Sequence, residues 1–147
     1  MQDCSQCPIH PERKDLFHDY VEKHSNLLKK NGIEPALMMT WAYKDKPEMI
    51  SQLAKEYTVA GNKNNVLVMP VGLAYANSTK VHPEIDLYTS DKRHPSKAGT
   101  YLSACVMYAS VFQTSPVGNS YTFDLDTNIA LNLQKIAWAT HQEYYEN

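Results

Sequence analysis

The run Asp91-Lys92-Arg93-His94-Pro95-Ser96 sets an acid three residues ahead of a histidine, on a turn that feeds a helix. A carboxylate so placed can accept the hydrogen bond of one imidazole nitrogen and fix the tautomer. The other nitrogen is then left as a general base for a hydroxyl nucleophile. Asp91 and His94 would thus supply two members of an acyl-transfer triad. The spacing also suits two solvated turn residues ahead of a proline-initiated helix, and D-x-x-H alone does not choose between them. For the third member, Ser5 in Asp3-Cys4-Ser5-Gln6-Cys7 lacks the small flanking residues and the strand-turn-helix setting of a strained nucleophile turn. Ser96 follows His94 too closely in sequence to be an easy partner. Cys4 or Cys7 could offer a thiol to His94, but no feature of the sequence predicts a depressed thiol pKa.

The cysteines invite other chemistry. Cys4 and Cys7 form a lone C-x-x-C, and Cys105 stands far downstream, an odd count too small for a disulfide framework. With His10 they offer three ligands, one short of the usual structural zinc site. A thioredoxin-like pair begins a helix after a strand, whereas this one opens the chain with Pro8 directly behind it. The expectation is two thiols on a loop, reduced or incidentally oxidised, with no metal and no cofactor. His10, His18, His24, His82 and His141 lack H-x-x-x-H spacing and read as surface or packing residues. Trp41, at the end of an apolar run, either lines a substrate pocket or closes the core. The ten tyrosines read as half-buried packing on helix faces.

These residues need elements to position them. Leu16, Phe17, Tyr20, Val21, Leu27 and Leu28 recur at helical spacing between Arg13 and Lys30, with Asn31-Gly32 as a stop. Pro35 to Trp41 is a short apolar run without helical period, as in a buried parallel strand. Asp45, Pro47 and Glu48 stand where an N-cap, a first-turn proline and a capping-box acid belong, ahead of a helix to about Ala60 with Gly61-Asn62 as its break. Val66 to Met69 is a second buried strand, after which Pro70 and Gly72 turn the chain out of the sheet. Tyr75 to Ser90 reads as irregular. Pro95 to Phe112 and Thr127 to Tyr144 read as helices, with Asp126 as a cap of the last. Alternating strands and helices predict an α/β domain with a parallel sheet. With two strands visible, the first strands of that sheet are expected outside this chain.

Composition bounds the partners. A chain of 147 residues with 43% apolar and 20% charged content is one globular domain, residues 1–147. A net charge of −2 lacks the basic excess that phosphate backbones draw on, so no nucleic-acid partner is expected. The most apolar stretch, Val66 to Ala76, is broken by Pro70 and Gly72 and is shorter than the about 20 residues that span a bilayer, so no membrane span is expected. Met1 to Cys7 shows no basic region followed by an apolar run, and no signal peptide is read in this chain.

The block Asp91-Lys92-Arg93-His94-Pro95-Ser96-Lys97-Ala98-Gly99-Thr100-Tyr101-Leu102 resembles the last conserved block of the SGNH, or GDSL-type, hydrolases, which reads D-x-x-H-P and runs into a closing helix. Thr40-Trp41 after a strand, the phrase Gln2 to Pro8, Ser115 to Gly118 and Leu133 to Trp138 look like a branch of small SGNH proteins related to bacterial esterases. The resemblance implies a flavodoxin-like three-layer α/β/α domain, incomplete here at its N-terminus, that hydrolyses an ester, often an acetyl group on a sugar. It makes His94 the general base and Asp91 its orienting acid. Gln2 and Ser5 fall about where the family's oxyanion block should stand and are carried, with Trp41, as substrate or oxyanion contacts. The family's G-D-S nucleophile block and its glycine block do not occur in the sequence. The serine is therefore expected upstream, and the chain alone is expected to be inactive. The family is often exported from bacterial cells; the sequence does not give the compartment.

Two readings compete. One is the acid-base portion of an ester hydrolase acting on a small ester or acetylated carbohydrate. The other is a non-catalytic α/β module that binds a carbohydrate or a protein and keeps the D-x-x-H turn as a relic. Uncovered strand edges would also promote self-association.

Overall fold

The computed structural model describes residues 1–146. A 3-10 turn at Cys7–Ile9 leads into α1 (Lys14–Lys30), β1 (Ala36–Met38), α2 (Met49–Asn64), β2 (Leu67–Met69), α3 (Val71–Val81), α4 (Lys97–Phe112) and α5 (Thr127–Glu146). Strands β1 and β2 are parallel, with Leu37 opposite Val68. Side chains alternate across a strand, so each one feeds both faces of the sheet. Leu37, Met39, Val66 and Val68 enter a core with Phe17 and Val21 of α1 and Leu53, Tyr57 and Ala60 of α2. Met69, with Ala36 and Met38 beside it, enters a second core built by Val71 and Tyr75 of α3, Leu102 and Val106 of α4, and Leu133 and Ala137 of α5. Helices therefore bury apolar surface on both faces of a parallel sheet, and the architecture is α/β, mostly helical.

The outer edges of this small sheet are partly satisfied. The Met1 amino group donates to the Ala36 carbonyl, and the Met38 N–H donates to the Met1 carbonyl at 2.8 Å. Met1 is thus a further rung on β1. On the far side the Tyr145 hydroxyl donates to the Val68 carbonyl at 2.5 Å. Among the described residues no helix is long and apolar enough to cross a membrane.

Several expected boundaries move, each for a physical reason. Helix α2 continues through Gly61, because that glycine serves packing: a Cβ there would lie 2.3 Å from Val68 Cγ2. The left-handed residue that ends the helix is Asn65, at φ 49°, as a helix C-terminus often requires. Pro70 does not begin a loop, since α3 starts directly behind it over part of the stretch read as irregular. That helix hides its period because it is buried on more than one side, at Val71, Gly72, Ala74, Tyr75 and Ser78. Asp45 forms no cap on α2, whose N-cap position is Glu48; it is spent on Arg93 instead. Helix α4 begins two residues later than expected, because Pro95 pairs with Tyr88 in an isolated antiparallel bridge.

Candidate active site

The loop between α3 and α4 folds back on itself to carry Asp91 and His94. The Ser96 N–H donates to the Leu87 carbonyl and the Thr89 N–H to the His94 carbonyl, each at 2.9 Å. Between these rungs the chain turns tightly, with Lys92 in the left-handed region at φ 64°. Asp91 organises the turn from inside. Its Oδ1 accepts the Arg93 N–H at 2.8 Å, the His94 N–H at 3.0 Å and the Thr89 hydroxyl at 2.8 Å. Its Oδ2 lies 2.5 Å from His94 Nδ1. The histidine bond first, and then the amide donors, hold the Asp91 carboxyl well below the usual carboxylate range. An ionised carboxylate only accepts hydrogen bonds, so Nδ1 carries the proton and the Nε2 lone pair of a neutral ring is free. The His94 side chain is 80% exposed, and no described residue hydrogen-bonds Nε2.

The element that holds this turn from behind is the end of β1. Trp41 donates its indole N–H to the Arg93 carbonyl at 2.8 Å, immediately before His94. The indole is buried and stacks on Tyr75, with centroids 4.8 Å apart and planes within 10°. Tyr75 meets Tyr88 edge-on, and the Tyr88 hydroxyl donates to the Ala42 carbonyl at 2.8 Å. Outside this aromatic wall the Lys44 N–H donates to the Lys92 carbonyl at 3.0 Å. The Arg93 guanidinium lies 4.1 Å from the Tyr43 ring centroid and 3.2 Å from Asp45. Arg93 holds the Asp45 carboxyl below its ordinary value. Exposed pairs of this kind are screened by solvent, so the buried indole is the stronger anchor.

Asp91, His94 and Trp41 thus form one hydrogen-bonded unit. Ser96 is the N-cap of α4: its hydroxyl donates to the Asp86 carbonyl at 2.7 Å and accepts the Gly99 N–H at 3.2 Å. Ser5 lies against the end of β1, where its carbonyl accepts the Thr40 hydroxyl at 3.4 Å; its own hydroxyl makes no bond to His94. Gln2 is exposed and lines, with Asp3, Leu16, Phe17 and Tyr20, a groove of about 340 Å³ beside α1. No hydrogen bond ties Gln2 or Ser5 to the Asp91 turn. Sequence reasoning passed over Thr89, Tyr75 and Tyr88; of these only Thr89 had a local signal, a hydroxyl two residues before the acid it supports.

Cys4 and Cys7 are joined in a disulfide, the oxidised of the two states that the sequence leaves open for this pair. Among the described residues Asp3, Cys4 and Cys7 are close enough to share an ion, but the two sulfurs are bonded to each other. The histidines are dispersed. His18 binds the buried Glu56 at 2.8 Å, beside Lys14 at 2.7 Å, and His141 is buried against Trp138.

No protein-family model matches this sequence, and no curated protein matches it. One solved structure does, the crystal structure of a DUF4886 family protein from Bacteroides uniformis ATCC 8492 at 1.50 Å resolution, with a TM-score of 0.73 and 17% identity. The likeness is one of fold. It covers 88% of this chain and 57% of that one, so this chain spans little more than half the length of its neighbour.

Proposed function

We propose that this chain carries the acid-base pair of an SGNH-type serine ester hydrolase, set in a flavodoxin-like three-layer α/β/α domain and acting on a small ester or acetylated carbohydrate. The observation that carries the reading is the 2.5 Å contact of Asp91 Oδ2 with His94 Nδ1 beside an exposed, unbonded Nε2. Its place supports it too, since ligands of open α/β sheets bind beyond the carboxyl ends of the strands, and Trp41 ties the turn to the end of β1. The nucleophilic serine is assigned to residues outside 1–147.

In the proposed reaction His94 Nε2 takes the serine proton as the serine oxygen attacks the ester carbonyl. The imidazolium, stabilised by ionised Asp91, returns that proton to the departing alcohol as the carbon–oxygen bond breaks. Water then attacks the acyl-serine, gives a proton to Nε2, and the acid leaves as the serine oxygen is reprotonated.

Serine-reactive fluorophosphonate labelling, read by intact mass and peptide mapping, tests the reading. Residues 1–147 alone should take no label and show no esterase turnover. A protein that includes the serine-bearing segment should be labelled at that serine, and the label should vanish in His94→Ala. An adduct on Ser5, lost in His94→Ala, would move the nucleophile into this chain. A folded longer protein that takes no label would favour the non-catalytic binding module.

A further inference from the structure

We infer that the Cys4–Cys7 disulfide is a thiol–disulfide exchange site, with Cys4 the sulfur that is attacked and Cys7 the sulfur that leaves, and that it reacts with small uncharged or cationic thiols. The two sulfurs differ in access: Cys4 is exposed, whereas Cys7 is buried at 6% exposure. An incoming thiolate needs an open line to one sulfur, and only Cys4 offers it. The Cys7 N–H donates to Cys4 Sγ at 3.1 Å, a contact that assists Cys4 when it is expelled from the mixed disulfide in the second exchange.

Opening the bond leaves the loop otherwise held. The Cys7 N–H also reaches the Cys4 carbonyl, the Ile9 N–H reaches the Gln6 carbonyl, and Thr40 reaches the Ser5 carbonyl. The bridged residues are three apart, so the bond restrains little chain entropy, and neither cysteine is a member of the two apolar clusters. Selectivity comes from Asp3. Its carboxylate accepts the Cys4 N–H at 2.7 Å and lies within 4.8 Å of both sulfurs, where it disfavours a thiolate that carries a further negative charge.

The chemistry balances as two exchanges. A small thiolate attacks Cys4 Sγ, forming a mixed disulfide and expelling Cys7 as thiolate, which takes a proton. A second thiolate attacks the outer sulfur of the mixed disulfide and expels Cys4. Two small thiols are oxidised to their disulfide, and the protein gains two thiols.

The native chain, treated with cysteamine or with 3-mercaptopropionate without denaturant and quenched with N-ethylmaleimide, provides the test. Maleimide should appear on Cys4, with Cys7 and Cys105, each 6% exposed, labelled only once the chain is unfolded after the quench, and with circular dichroism unchanged before that. After correction for each reagent's rate with an uncharged disulfide, cysteamine should be faster by about threefold. Asp3→Asn should remove that difference. In Cys7→Ser, cystamine should place one adduct on Cys4, and Cys4→Ser should leave Cys7 at least about tenfold slower. Reduction only under unfolding conditions, or equal rates at Cys4 and Cys7 in the single variants, would overturn the assignment. A charge preference that survives Asp3→Asn would overturn its selectivity.

Discussion

At Asp91 one carboxylate performs two tasks that are usually separate. One oxygen folds the turn by accepting main-chain and Thr89 donors, and the other orients the imidazole. Asp91→Asn separates them. The amide oxygen can still accept the turn's N–H groups, but its NH2 then faces Nδ1 and asks that nitrogen to accept. The His94 proton should therefore move to Nε2, which nitrogen-15 NMR of the imidazole reads directly in this chain; an unchanged tautomer would contradict the geometry. In an active protein the same change should lower kcat by about 10⁴, the loss the equivalent Asp-to-Asn change causes in serine proteases. Because the depressed Asp91 value keeps the carboxylate ionised, whatever stability it adds is present above the ordinary carboxylate value and is lost only as pH falls towards the folded-state value. The Nδ1 bond should accordingly persist through mildly acidic solution, and its loss there would count against the assignment.

The elements that hold the turn set the next scale. Helix α4 starts where Ser96 caps it, and Ser96→Ala should cost about 1 kcal/mol in chemical denaturation, with no change in the fold. Gly99 one turn later is less forgiving. A Cβ there would lie 2.3 Å from the Leu87 carbonyl oxygen and 2.6 Å from the Tyr75 hydroxyl. That carbonyl also accepts the Ser96 N–H, so it cannot retreat without loosening the turn. Gly99→Ala should therefore cost about 1–3 kcal/mol and also shift the His94 ring resonances, whereas Ser96→Ala should move them less. Equal perturbation by the two variants would show that the turn is held elsewhere. The aromatic wall of Trp41, Tyr75 and Tyr88 explains why: it transmits the position of α3 and β1 to the main chain before His94.

For the molecule as a whole, burial sets the alkaline limit of stability. Removal from water pushes the Cys105 thiol up to about 11 and the Tyr88 and Tyr145 hydroxyls up to about 12. Each is neutral in the fold and ionises more easily when unfolded. Their stabilisation is complete below the ordinary values of 9.0 and 10.0 and is lost as pH rises through the folded values. Thermal stability should fall steeply above about pH 9, and Cys105 should resist iodoacetamide at pH 8 until the chain unfolds. Alkylation there at the rate of a free thiol would contradict its burial. On the other side of the molecule α1 leaves Leu16, Tyr20 and Leu27 more than half exposed. We expect residues 1–147 to self-associate through this face, the β1 edge being paired by Met1, seen as a sedimentation coefficient that rises with concentration; a monomer at all concentrations would rule it out.

What the sequence determined by itself is whatever one local period or cap encodes. Helix α1 was legible because its apolar residues fall on one face, the two strands because short apolar runs lie between polar breaks, and Asp91 with His94 because three residues of turn bring them together. Asp126 was legible as a cap, and it accepts the N–H groups of Asn128 and Ile129. The tertiary structure decided the rest, where a residue's partner is distant in sequence. Gly61 looks like a break until Val68 is packed against it, Asp45 looks like a cap until Arg93 arrives, and α3 has no readable face because neighbours bury it on several sides. Trp41 is the clearest case: its type and position suit either a substrate wall or a core. Only packing against Tyr75 and the carbonyl of Arg93, 52 residues away, commits its N–H to holding the turn.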